Sequence, residues 1–341
     1  MWRLYSVKAH SRATNYYEID LEEALASSDP NEFFRYFWLL FRAAAFVPQS
    51  AQREGQAQSG NFLDRLLEDS EAFAKRLGAC LKDRVFEDIF PHFAEGFIQG
   101  SGGTGRLLAL ADQQRETELS DCFQATLTFL YRLLFLLYAE SRDLLPVRET
   151  RGYHEASLTK LKEEVAIAAG TLEDQVRKSI EKAYQNDSTA LYDRTFELCR
   201  VVDVVDKGNQ ELNVPLYNGG LFLTTVPEDD ASEEAKQARF LARHKLPDRF
   251  LALGLDLMAR DEDEKRRDLV FIDYKSLGVR QLGSIYEGLL EFKLRVATEK
   301  MAVIKGKKTE EAVPYSEAKR DKLKILTKRR IFFPSACQSA L

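Results

Sequence analysis

Three hundred and forty-one residues, 45% hydrophobic and 30% charged, are enough for one large or two ordinary folded domains, which excludes global disorder. A formal net charge of −5 excludes a chain that is basic throughout, so any contact with nucleic acid has to come from a local patch. Four scattered cysteines (Cys80, Cys122, Cys199, Cys337) form no CxxC pair and lie near none of the four histidines, which argues against a disulfide framework or a zinc site and fits a reducing cytoplasm.

Trp2-Arg3-Leu4-Tyr5 and Tyr16-Tyr17-Glu18-Ile19-Asp20-Leu21 are aromatic and alternating, the pattern of two short strands. A lone hairpin is marginally stable in water, so they look like the tail of a larger sheet. Ser28-Asp29-Pro30 then starts a helix with a capping side chain and a proline in its first turn, and Phe33, Phe37, Leu40, Phe41 and Ala44 give it one apolar face. Beyond a polar stretch from Gln49 to Gly60, a second amphipathic helix runs through Leu66, Phe73, Leu77, Leu81, Val85, Ile89 and Phe93, mostly in steps of four.

From Leu119 to Ser141 the chain is apolar almost all round, as a central helix surrounded by other helices is. Its most apolar run, Ala125 to Ala139, is too short for a bilayer and carries Arg132 at its centre. No signal-peptide pattern opens the chain, and no membrane contact is expected. Helical patterns follow over 157–168, 171–186, 189–204, 232–243, 247–258 and 277–293, with a loop-rich stretch from Pro215 to Pro227. Val296 to Ile304 and Ala312 to Tyr315 predict a small hairpin across Lys305-Gly306-Lys307-Lys308-Thr309. The fold class is mainly α: a multi-helix domain with short N-terminal strands and a small C-terminal β-hairpin.

Several strings imitate chemistry. Gly100-Ser101-Gly102-Gly103-Thr104-Gly105 resembles a phosphate-cradling loop, but Arg106-Leu107 stands where Lys and Ser/Thr belong and no strand precedes it, so it reads as an inter-helix loop. Asp248 with Asp273 and Lys275 mimics the two carboxylates and lysine of a Mg²⁺ nuclease, yet Asp248 opens a helix, although Leu269 to Ile272 suits a short strand; Glu291-Phe292-Lys293 repeats the coincidence inside a helix. Tyr217-Asn218-Gly219-Gly220-Leu221-Phe222 combines turn freedom with apolar anchors and reads as a structural turn docked on helices. Ala139 to Pro146 reads as a helix end with its charges outside the core, the alternative being that Glu140 and Arg142 pair with distant groups inside a domain interface. The basic stretch Lys319, Arg320, Lys322, Lys324, Lys328, Arg329 and Arg330 reads first as a solvated face, the alternative being sequence-blind contact with DNA phosphates. No Asn/Asp-Pro-Pro-Tyr/Phe, no strand-to-glycine cofactor loop, and no Gly-x-Ser-x-Gly, HExxH or GxGxxG occurs.

Taken together and in order, Trp2 to Tyr5, Tyr17 to Leu21, Phe33 to Phe46, Tyr131 to Pro146, Val214 to Phe222 and Asp273 to Leu290 resemble the middle region of type IIG restriction–modification enzymes. These are large single chains that join a nuclease, a helical region and an N6-adenine methyltransferase. The resemblance covers most of the chain. It implies that 1–25 are strands of a nuclease-side domain, that 26–295 form the helical linking domain with a sub-boundary near 100–118, and that 296–341 lead toward a methyltransferase. It singles out Tyr217, Asn218, Gly219, Gly220, Tyr286 and Glu287 as structural motif residues and places the S-adenosylmethionine and Mg²⁺ sites outside this sequence. Where the family continues through Gly-x-Tyr/Phe-Tyr/Phe-Thr-Pro, this sequence reads Ile331-Phe332-Phe333-Pro334-Ser335-Ala336-Cys337, the expectation for a shifted frame or a decayed gene.

The reading is therefore a cytoplasmic, non-catalytic helical scaffold that positions a nuclease and a methyltransferase on double-stranded DNA and touches that DNA weakly and non-specifically. No catalytic, cofactor-binding or metal residue is assigned, and neither methylation nor cleavage is expected of the chain alone. A free-standing helical protein-interaction adaptor is the alternative, and a Mg²⁺ nuclease on Asp248, Asp273 and Lys275 stands third.

Overall fold

A computed structural model describes residues 2–5, 16–26, 30–47, 49–50, 59–148, 152–203, 212–215, 220–262, 268–290, 293–296, 301–305, 310–314, 324–326 and 331–332. Two compact units, 1–74 and 75–341, divide the chain, and their boundary falls inside its third helix.

In the first unit, β1 (Trp2–Tyr5) and β2 (Tyr16–Ile19) pair antiparallel, Trp2 opposite Ile19 and Tyr5 opposite Tyr16, as the alternation predicts. α1 (Leu21–Ala26) and α2 (Pro30–Phe41) follow, with Pro30 at the first helical position, where its missing N–H costs nothing. The apolar face of α2 is only half covered. Phe33, Phe37, Leu40 and Phe41 are intermediate in burial and Ala44 is exposed, while the rings of Phe37 and Phe41 stack at 5.3 Å. Phe34 and Trp38 are 62% and 53% exposed, and the Arg42 guanidinium lies 4.4 Å over the Trp38 ring. Within the polar stretch, β3 (Gln49–Ser50) pairs with β4 (Ser59–Gly60), which the sequence pattern had not suggested.

The predicted second helix is three segments in one run: α3 (Phe62–Arg84), a π turn over Val85–Ile89 and α4 (Phe90–Gly100). Side chains spaced by four drift about 40° per step around a helix of 3.6 residues per turn. The wider i→i+5 turn absorbs that drift, so Leu81, Val85, Ile89 and Phe93 all reach the core, each no more than 1% exposed. Leu66 and Phe73, in the first unit, are exposed.

After the short α5 (Gly103–Ala109), α6 (Asp112–Ser141) starts seven residues before the predicted Leu119 and runs for 30 residues. It is the one described helix long and apolar enough to cross a membrane, yet 78% of its apolar window is buried inside the protein, which is how a core helix reads. α7 (Tyr153–Ala156), α8 (Leu158–Ala169), α9 (Glu173–Ala183), α10 (Ala190–Val202), α11 (Glu233–Arg243), α12 (Asp248–Ala259) and α13 (Val279–Leu289) complete the described helices; α7 has no predicted counterpart, α9 and α13 end three and four residues short of the predicted limits, and the rest lie within two. α6 packs against α4, α8 and α11, and α12 against α4, α8, α9 and α10. Glycines set the α4–α12 approach: a Cβ on Gly254 would lie 2.0 Å from Phe93 Cε1, and one on Gly96 would lie 2.8 Å from Phe250 Cβ. Phe97 sits edge-on to Phe129, Tyr192 and Phe240 at the centre.

Short strands close the second unit. β5 (Arg260–Glu262) pairs with β6 (Leu269–Phe271). β7 (Arg295–Val296), β8 (Met301–Lys305), β9 (Glu310–Pro314), β10 (Lys324–Leu326) and β11 (Ile331–Phe332) form a β8–β9 hairpin, extended by β10 alongside β8, and a separate β7–β11 pair. The chain is thus mainly α with short N-terminal strands and a small C-terminal hairpin. β10, inside the basic stretch, and β11, just after it, are additions to the predicted strands.

Candidate functional site

Arg132, set in the apolar middle of α6, is 1% exposed. Its Nε donates to the Leu221 carbonyl and its Nη2 to the Leu223 carbonyl, both at 2.7 Å. One turn further along, the Phe135 ring meets Phe222 edge-on at 5.2 Å. Asp203, just past α10, also holds this segment by accepting from the amide and hydroxyl of Thr224, both at 2.6 Å. The turn that includes Gly220, Leu221 and Phe222 is therefore docked on helices, as its composition suggests. Tyr217, Asn218 and Gly219 lie outside the described residues.

At the end of α6, Arg142 stacks 5.0 Å over the Tyr138 ring and donates from Nη2 to the carbonyls of Lys275 at 2.9 Å and Leu277 at 3.2 Å. That segment is fixed from within as well: Asp273 accepts from the Lys275 amide and the Ser276 hydroxyl, and buried Tyr274 donates to the Met258 carbonyl. Three of the resembling strings, from Tyr131, Val214 and Asp273 onward, thus meet on one helix. In the continuation of the third string, Tyr286 and Glu287 belong to α13, where Glu287 is exposed and a Cβ on Gly288 would come 2.3 Å from Phe86 Cζ.

Glu140 corrects the expectation that the charges at this helix end lie outside the core. It is 5% exposed and accepts four hydrogen bonds of 2.7–2.8 Å, from the Tyr153 hydroxyl, the amides of Leu158 and Thr159 and the Thr159 hydroxyl. The carboxylate thereby satisfies the first amides of α8 and its charge faces the positive end of that helix dipole.

The strings that imitate chemistry resolve into caps. Asp248 is 4% exposed and accepts from the Ser188 hydroxyl and the Leu191 amide, capping α10. Asp273 caps the turn Tyr274–Ser276. The two carboxylates stand at opposite ends of α12, because Ile272 bonds the Ala259 carbonyl. A helix of 12 residues separates them by roughly 16 Å, far beyond what one ion bridges. The glycine run follows helix α4 rather than a strand. Ser101 and Gly102 turn their amides back to the carbonyls of Phe97 and Gln99, Gly102 has φ +105°, and a Cβ on Gly100 would sit 2.1 Å from the Lys245 carbonyl oxygen. Neither arrangement fits a nucleotide cofactor or a Mg²⁺ pair, and among the described residues no three His, Cys, Asp or Glu side chains gather as a metal site. Glu291 and Phe292 lie outside the described residues and Lys293 is exposed.

Groups with displaced pKa values are scattered through the packing rather than convergent. Burial, with Arg177 and Arg249 nearby, lowers His92 to about 4. Burial pushes Cys122 up to about 12 and raises Cys199, Tyr192 and Tyr274. Asp256 is raised by burial even though Arg260 donates to it at 2.8 Å, and both members of that pair are 4% exposed. Arg260 also holds the Gly170 carbonyl, and Arg84 holds those of Leu257 and Arg260 at the end of α12. Arginine binding to loop and helix-end carbonyls recurs across the unit. Composition hid it, and the one signal for Arg132 was a cation inside an apolar helix.

Of the basic stretch, Lys324 opens β10 opposite Val303; Lys319, Arg320, Lys322, Lys328, Arg329 and Arg330 lie outside the described residues. No family model, curated protein or solved structure matches the chain.

Proposed function

We propose that this chain is the helical scaffold of a DNA restriction–modification protein, keeping a nuclease and an adenine-specific methyltransferase at a set separation on DNA. The observation that carries the reading is the seating of two resembling loops on α6 by Arg132 and Arg142. Ten residues of helix put these arginines about 15 Å apart, a spacing that a packed helix does not let vary. Rigidity of that order matters to an attached active site, where a displacement of about 1 Å can cost about a hundredfold in rate. On this reading the chain's own carboxylates have structural work, and S-adenosylmethionine and Mg²⁺ belong to the attached domains. Lys319, Arg320, Lys322, Lys324, Lys328, Arg329 and Arg330 meet DNA phosphates without reading sequence.

Translating the DNA on both sides of the coding region in every frame tests the proposal. A cofactor loop and an Asn-Pro-Pro-Tyr-type motif shortly downstream are expected, and their absence would overturn it. A free-standing protein-interaction adaptor is the second reading, favoured by the exposed aromatic side chains of α2.

A further inference from the structure

We draw no further inference here: the strongest candidate, the exposed aromatic patch of Phe34 and Trp38 one turn apart on α2, carries none because nothing in the structure shows what covers it.

Discussion

Arg132 Nε lies 2.7 Å from the Leu221 carbonyl oxygen, joining the centre of the core helix to a turn 89 residues later. With Nη2 bound to Leu223, one buried cation satisfies two loop carbonyls, and no carboxylate pairs with it among the described residues. Arg132→Ala leaves both acceptors without their donor. A loss of roughly 3 kcal/mol is expected in urea unfolding, since hydrogen bonds to charged groups contribute about 1.5–3 kcal/mol each and rarely add in full. Arg132→Lys should recover little of it, because an ammonium lacks the planar fork that spans two carbonyls. A change below about 0.5 kcal/mol would show that the turn is held by something else.

Glu140 gathers four donors, so Glu140→Gln should be destabilising despite its equal size. About 2 kcal/mol is expected, from weaker hydrogen bonds to a neutral acceptor and the lost interaction with the α8 dipole. Thermal unfolding of the variant beside Glu163→Gln, an exposed position on α8, gives the comparison. Equal midpoints for the two would contradict a structural role for the Glu140 carboxylate.

His92 makes stability depend on acid. Its folded-state pKa of about 4 lies below the ordinary 6.5, so the unfolded chain binds the proton more readily between those values. Its contribution is whole above pH 6.5 and is lost as the pH falls toward 4, by roughly 3 kcal/mol over the window. The imidazole lies tilted against the Phe250 ring at 4.7 Å, and its buried Nε2 has no hydrogen-bond partner among the described residues, so a proton there gains no acceptor. His92→Phe should flatten this part of the profile measured by urea unfolding at pH 7, 5.5 and 4.5. An unchanged slope would assign the acid sensitivity elsewhere.

Two glycines should respond in opposite directions. Gly254→Ala drives a methyl to 2.0 Å from the Phe93 ring and separates α12 from α4, at a cost of about 2 kcal/mol or more. Gly283→Ala, exposed within α13 with nothing within 4 Å of the added carbon, should stabilise by about 0.5–1 kcal/mol through helix propensity. A Gly254→Ala midpoint at or above that of the unmodified chain would refute the close α4–α12 packing, and a lowered Gly283→Ala midpoint would refute the open surroundings of Gly283.

If the basic stretch meets DNA, binding to a duplex should weaken steeply with salt and ignore sequence. Replacing Lys328, Arg329 and Arg330 with Gln should lower the slope of log Kobs against log salt by about 3, at about 0.9 per lost phosphate contact. Fluorescence anisotropy with two unrelated duplexes measures it. An unchanged slope removes these residues from the interface, and a strong preference for one duplex rejects the sequence-blind contact.

Much of the helical order was legible in the residues themselves. Pro30 marks the start of α2, while Ser157 and Ser232 accept amides at the starts of α8 and α11. The near-uniform hydrophobicity after Leu119 marks the buried helix, because local spacing and capping depend on neighbours within a turn or two. Periodicity also names the apolar side of α2, but whether anything covers that side depends on another surface. The pairing of β10 with β8, and which side chains bind the 220–224 and 273–277 segments, were out of reach for the same reason. Residues such as Arg132, Glu140 and Asp248 carry no local sign of their partners, which lie between 13 and 91 positions away. Sequence thus determined where the helices form and which faces are apolar. Tertiary structure alone decided which charged groups are buried, because burying a charge is tolerable only where folding has already assembled its hydrogen-bond partners.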